Sequence, residues 1–295
     1  MTLVDVFDAP SRWTALDPVA ARAKELADRL LPGGRVRGLL HGRPAGHPLH
    51  PAMAQLPIGT SVSALLLDTV AVLLPGRSSA LGLPARGLAA VSVASVAPTA
   101  IAGWADYVDL HPDQQRTAVV HAGGNAVAAT LWTLSLFSRR RARLLRTAGT
   151  VVAGAAGALG GHLAYRWAAG ANHAEHLVHL AGDGKEFTDI GALADLPEDG
   201  PAQRWIGDAP LCVVRTGGDV RAITDTCTHL GAALHYGEVS GSGRDTVVTC
   251  PWHGSSFSFA DGRVLSGPAS SPQPTVETRV ADGRVLARVQ GPPLP

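Results

Sequence analysis

The chain has 295 residues, 46% of them hydrophobic and only 17% charged, with 34 glycines, so one ordinary water-soluble domain describes it poorly and two units of different solvent preference are expected. Twenty-five basic against 24 acidic residues leave a net charge of +1, which supplies no basic excess to hold a nucleic acid. Three cysteines, Cys212, Cys227 and Cys250, are too few to frame a secreted disulfide scaffold, so their roles are local.

At the N-terminal end, Asp17-Pro18 reads as a helix cap with proline at the first helical position, and Val19 to Leu31 follows near helical spacing before Pro32-Gly33-Gly34 ends it. The expectation is an amphipathic helix at a membrane surface or, equally, a solvated helical tail. Four stretches then lack Asp, Glu, Lys and Arg: Pro44 to Leu67, Gly87 to Ala105, Thr117 to Ser138 and Thr147 to Tyr165. A hydrocarbon core needs roughly 20 apolar residues per helix. Four transmembrane helices are therefore expected, at Ala52 to Leu74, Gly87 to Trp104, Ala118 to Phe137 and Thr147 to Trp167. A soluble helical bundle is the alternative, because stretches such as Val151 to Gly161 are rich in Gly and Ala; small residues are also what membrane helices use to pack closely. The first span begins too late, and too many follow it, for a cleaved signal peptide.

After Gly170 charges become regular, and short β-branched runs alternate with Gly/Asp turns: Cys212 to Arg215, Val220 to Ile223, Thr246 to Thr249, Ser256 to Phe259, Thr275 to Val280 and Val285 to Val289. This pattern predicts a small antiparallel β domain, with hairpin turns at Asp261-Gly262 and Asp282-Gly283. The expected organisation is an N-terminal segment (1–43), a four-helix transmembrane bundle (44–170), a linker (171–182) and an all-β domain (183–290).

Within the β domain, Cys227-Thr228-His229 and Cys250-Pro251-Trp252-His253 offer one thiolate and one imidazole from each of two loops. Structural zinc sites usually pair Cys with Cys and His with His. A mixed two-iron centre, thiolates on one iron and imidazoles on the other, explains one of each per loop directly, with zinc as its rival. The wider segments Cys227-Thr-His229-Leu-Gly231, Cys250-Pro-Trp-His253-Gly-Ser255 and Gly267-Pro268-Ala269 resemble the ligand loops and proline loop of a Rieske [2Fe-2S] domain. The resemblance implies that Cys227 and Cys250 hold the inner iron, that His229 and His253 bind the outer one with their edges toward solvent or a redox partner, and that Ser255 donates to a cluster sulfide. It departs from the quinol-oxidising branch, whose extra loop cysteines are here Ala232 and Trp252 and whose tyrosine is Phe257. Losing a hydrogen-bond donor makes reduction harder, so a potential below that branch is expected. Cys212, in an apolar strand apart from the ligand loops, is expected to be a buried inert thiol.

In the membrane half, Gly42-Arg-Pro-Ala-Gly46-His47-Pro-Leu-His50-Pro51, Leu65-Leu-Leu-Asp68 and Gly160-Gly-His162-Leu-Ala-Tyr165-Arg166 resemble an uncharacterised bacterial four-helix membrane family, which implies no activity. The few polar residues in or at the ends of the spans are His47, His50, Asp68, Asp106, His121, Asn125 and His162; in an up-down bundle His47, His50, Asp106, His121 and His162 gather toward one leaflet, with Asp68 nearer the other end. Such a cluster could hold b-type haem, for example between His121 and His162, or a membrane quinone, or could satisfy its own hydrogen bonds. His173, His176 and His179 form a further row that would share one face if helical. Seven arginines (Arg77, Arg86, Arg139, Arg140, Arg141, Arg143 and Arg146) lie in the loops of the opposite face. The positive-inside rule makes those loops cytoplasmic and the termini external, while the missing loop disulfide points the other way.

Together these features predict a membrane-anchored Rieske electron-transfer protein that works with a redox partner protein or membrane quinone. The alternatives are a small quinol or haem oxidoreductase, or a redox-sensing membrane protein. An oxygenase is disfavoured, because the β domain leaves no room for a mononuclear iron domain.

Overall fold

A computed structural model describes residues 3–31, 33–182, 184–198 and 200–290. The chain divides into two compact units, one built from Met1–Pro32 and Leu49–Ala169, the other from Gly33–Pro48 and Gly170–Pro295. Its helices are α1 (Leu3–Asp8), α2 (Asp17–Leu30), α3 (Arg35–Leu40), α4 (Leu49–Leu73), α5 (Ser78–Tyr107), α6 (Pro112–Phe137), α7 (Ala142–Gly161) and α8 (Leu177–Leu180). Its strands are β1 (Thr188–Ala192), β2 (Pro201–Ile206), β3 (Ala209–Thr216), β4 (Asp219–Thr224), β5 (Glu238–Ser240), β6 (Val247–Thr249), β7 (Ser256–Ser258), β8 (Val264–Ser266), β9 (Thr275–Ala281) and β10 (Arg284–Val289). Residues 33–48, which the expected division splits at 43, and the expected linker 171–182 are both grouped with the β unit.

In the helical unit α4 packs on α5, α5 on α6, α6 on α7 and α7 back on α4. Consecutive apolar helices joined by short turns close into a ring in this way. The distribution of side chains is inverted relative to a water-soluble bundle. Ser61, Asp68, Ser92, Ser95, Thr99, Ser135 and Arg146 are buried with many alanines, whereas Leu66, Leu73, Leu83, Phe137, Leu144 and Val151 are exposed. Two helices, α4 and α5, are long and apolar enough to cross a membrane. The charge-free stretches predicted four; α6 and α7 form as long helices but are less apolar, with His121, Gly123, Gly124 and Asn125 inside α6 and Arg143, Arg146 and repeated glycines inside α7.

Internal polar groups are matched across the helices. Pro57 inside α4 has no N–H to give the carbonyl of Met53; the Thr99 hydroxyl of α5 lies 3.4 Å from that carbonyl while donating to Ser95 at 2.8 Å. Asp68 on α4 accepts two hydrogen bonds from Arg146 on α7, at 2.6 and 2.7 Å, with both side chains buried. At the other end α2 lies against α5 and α6. Asp17 is not the cap predicted: it is the first residue of α2 and makes no capping bond. Its carboxylate accepts from Arg116 at 2.5 Å, an ionised partner that outcompetes a backbone amide.

In the second unit β1-β10-β9-β4-β3-β2 form one antiparallel sheet and β5-β6-β7-β8 another. All six predicted runs are strands, and β1, β2, β5 and β8 add to them. The alternation of β3 makes it the wall between two cores. Leu211 and Val213 face one core with Val285 and Ala287, and Cys212 and Val214 face the other with Leu234, Val248 and Phe257. Cys212 is thus buried, as expected, but shares its core with Cys227 and Cys250 and does not lie apart from the ligand loops. At Asp282-Gly283 both residues take positive φ, 50° and 73°, which is the two-residue turn that matches the twist of β9 and β10.

Candidate metal centre

The two ligand loops follow β4 and β6 and are built alike. The Cys227 amide donates to the carbonyl of Ala232 at 2.8 Å and the Gly231 amide returns to the carbonyl of Cys227 at 2.9 Å. The Cys250 amide likewise donates to Ser255 at 2.8 Å and the Gly254 amide to Cys250 at 3.2 Å. Each loop therefore closes five residues after its cysteine, and the glycine at the fourth position carries positive φ, 81° at Gly231 and 70° at Gly254. This explains how Cys-x-His and Cys-x-x-His present the same pair of donors.

The loops bring their thiols together. Cys227 donates an S–H hydrogen bond to Cys250, which with burial pushes the Cys227 thiol up. The same bond holds Cys250 down to about 6, aided by the backbone amides of Trp252 and His253 and opposed by burial. Amides of His229 and Leu230 point at the Cys227 sulfur. The imidazoles of His229 and His253 lie beside each other, centroids 5.0 Å apart and planes at 87°. Trp252, 54% exposed, stands next to His253. Two thiols within hydrogen-bond reach, each met by backbone amides, and two adjacent imidazoles fit a centre with sulfur ligands inside and nitrogen ligands outside.

A third loop seals the site. Ser255 is fully buried and its Oγ accepts the amide of Ala269 at 3.0 Å, which leaves its own hydrogen available. A Cβ on Gly267 (φ 85°) would sit 2.4 Å from Cα of Ser255, so only glycine lets the two loops touch. Thr228 donates to the carbonyl of Ser271 at 2.8 Å, and Gln273 donates to that of Thr226 at 3.1 Å. Behind the first loop, buried Asp225 accepts from the His235 ring at 2.6 Å and from Gln203 at 2.8 Å. The predicted set missed Thr228, Gln273, Asp225 and Arg43; Arg43 donates to the carbonyls of Leu265 and Gly267 at 3.3 and 2.9 Å. Its glycine-flanked motif was visible in the sequence but attached to the membrane resemblance.

The predicted membrane cluster is divided. His50 and His121 meet, centroids 6.2 Å apart and planes perpendicular. Each Nδ1 lies on a helix carbonyl, Thr99 at 2.9 Å for His50 and Ala156 at 2.7 Å for His121. Gly103 and Gly160 leave room for the two rings. His162 does not join them: its Nε2 is 2.7 Å from Asp8, whose charge draws it toward the N-terminal segment. His47 belongs to the other unit, with its Nδ1 3.1 Å from the carbonyl of Pro48, and Asp106 occupies the last turn of α5. The row His173, His176 and His179 is not one helical face, because α8 begins only at Leu177; His179 pairs with Glu175 at 3.2 Å.

The Rieske [2Fe-2S] domain family matches residues 186–278. The chain is 28% identical over 100 residues to the cytochrome b6-f complex iron-sulfur subunit of Chlorobaculum tepidum, covering 34% of this chain and 52%, about half, of that subunit. It is 39% identical over 80 residues to ferredoxin CarAc of Metapseudomonas resinovorans, covering 27% of this chain and 71% of the ferredoxin. With the anthranilate 1,2-dioxygenase ferredoxin subunit of Burkholderia cepacia it shares 33% identity over 104 residues, 35% of this chain and 93% of that subunit. Through residues 186–278 the chain belongs to the Rieske [2Fe-2S] family.

Proposed function

We infer that the protein is a membrane-anchored electron carrier whose Rieske centre is held by Cys227, His229, Cys250 and His253. The observation that carries this reading is the pair of matched loops, which set two hydrogen-bonded thiols behind two adjacent imidazoles. The cluster supplies one-electron redox chemistry when bound. The residues do the rest: backbone amides of both loops stabilise the sulfur ligands, Ser255 accepts the Ala269 amide and keeps its own hydrogen to donate, and the half-exposed His229 and His253 form the edge where a partner docks. That partner is a redox protein, in keeping with relatives that are themselves named as ferredoxin subunits of dioxygenases. Phe257 in place of a hydroxyl donor supports a potential below that of quinol-oxidising relatives.

The anchoring is supported by buried polar groups and outward leucines on the helical unit, the arrangement that lipid favours. We read α4 to α7 as four spans of a bacterial cell membrane, with the arginine-bearing loops cytoplasmic and the termini external. A second reading adds a membrane redox ligand, b-type haem or a quinone. His50 favours it, since it directs Nδ1 to the Thr99 carbonyl, which only accepts, and so keeps Nε2 for a ligand; beside it, Nε2 of His121 lies 3.4 Å from the Asn125 amide, which a ligand there would displace.

Fractionation and composition test the reading. The protein should stay with membranes after an alkaline carbonate wash and, purified in detergent, contain two irons and two acid-labile sulfides per chain. Release by the wash would remove the anchor, and stoichiometric zinc would remove the carrier. Absence of a haem absorption band would leave only quinone for the second reading.

A further inference from the structure

Residues 33–48, which precede the first long helix, form a strap on the iron-sulfur unit. After α3 the chain takes a left-handed turn at Gly42 (φ 76°), one short helical turn over Arg43–Ala45, and a second left-handed turn at Gly46 (φ 71°). The strap meets the proline loop twice. Arg43 donates through Nη2 to the carbonyl of Gly267 at 2.9 Å and through Nη1 to that of Leu265 at 3.3 Å; the carbonyl of Gly46 accepts from the Ser271 hydroxyl at 3.0 Å. Gly38 makes the geometry possible, because a Cβ there would lie 2.5 Å from Nη2 of Arg43.

The charge of Arg43 is not neutralised. Among the described residues its guanidinium bonds only to main-chain carbonyls and pairs with no carboxylate, and its Nε is buried without a hydrogen-bond partner. The loop that it grips touches both ligand loops, through Gly267 and Ala269 on Ser255 and through Ser271 on Thr228. A planar fork aimed at two carbonyls fixes a loop better than a flexible ammonium.

We propose that Arg43 is a positioning residue for the redox centre: it holds the proline loop over the ligand loops and places an uncompensated positive charge that favours the reduced state. The proposal rests on reading Cys227, His229, Cys250 and His253 as cluster ligands. Reduction adds one electron, and hence one negative charge, to the centre from an external donor, and nearby positive charge in a partly buried site stabilises that charge.

The test is a redox titration of the detergent-purified, iron-loaded full chain, followed by EPR, with hydrogen exchange measured at residues 265–271. Arg43→Gln removes the charge and should lower the reduction equilibrium constant about tenfold, 59 mV for a one-electron couple, and should speed exchange in the loop. Arg43→Lys keeps the charge and should retain most of the potential while exchange still rises. Gly38→Ala suits a helix but displaces the guanidinium; it should speed exchange with Arg43 unchanged, so it probes the grip even if Arg43→Gln fails to fold. A wild-type potential in Arg43→Gln, or unaltered exchange in Gly38→Ala, overturns the proposal. Failure of the wild-type protein itself to give a Rieske spectrum overturns instead the ligand reading beneath it.

Discussion

The Thr228 hydroxyl donates to the carbonyl of Ser271 at 2.8 Å, a bond that joins the first ligand loop to the proline loop between Cys227 and His229. Thr228 is itself buried, so water does not replace its partner freely. Thr228→Val keeps the shape and removes the donor. It should cost about 1 kcal/mol of stability, and thermal melting and the rate of iron loss to a chelator should both worsen. Thr228→Ser should behave as wild type.

In the proposed cluster reading Ser255 has two roles that one substitution separates from packing. Its oxygen accepts the amide of Ala269, and its hydrogen is left for the centre. Ser255→Ala should lower the reduction potential, because a cluster sulfide loses a donor, while the EPR line shape stays of Rieske type. An unchanged potential would assign Ser255 to loop structure alone.

Asp68 and Arg146 make the bidentate pair that links α4 to α7. Removing one member leaves a buried charge, so Asp68→Leu should destabilise the helical unit by about 3–5 kcal/mol. The double variant Asp68→Leu/Arg146→Leu should recover most of that loss in a detergent melting experiment. Equal melting temperatures for the single variant and wild type would show that the pair is solvated.

Cysteine labelling follows from the thiol environments. Burial, with the nearby Asp225 charge, pushes the Cys212 thiol well above its ordinary value, so it carries less thiolate at any given pH. At pH 8 an alkylating reagent should leave Cys212 unmodified in folded protein. Removal of the metal should open Cys227 and Cys250 to the reagent while Cys212 stays protected, because the bond from Cys227 and the backbone amides of Trp252 and His253 hold the Cys250 thiol below its ordinary value. Mass spectrometry of labelled peptides shows which cysteines react.

The candidate centre is legible in the sequence because such chemistry requires particular residue types at short spacing: Cys227, His229, Cys250 and His253 stand in two local motifs. Strands with dense β-branched runs, such as β3, β4, β9 and β10, were readable, whereas β1 and β2 dilute theirs with Gly, Ala, Pro and Arg, and β5 and β8 span three residues each. Partners distant in sequence were not readable. Arg43 reaches carbonyls 222 and 224 positions away, and His162 is paired to Asp8 across 154 positions, contacts that no local pattern encodes. The same reason separates His162 from His121, although axial position along the helices did bring His50 and His121 to one level. The helices themselves were visible as gaps in charge, but composition distinguishes α4 and α5 from α6 and α7 more sharply than gap length does.

The measurement that bears most directly on the redox centre is the EPR spectrum of detergent-purified, iron-loaded protein after chemical reduction. Two thiolate and two imidazole ligands on a [2Fe-2S] cluster should give a Rieske signal, lost in both Cys227→Ser and His253→Ala. A silent spectrum from protein that carries one zinc per chain at the same four residues would contradict electron transfer and leave a structural metal site.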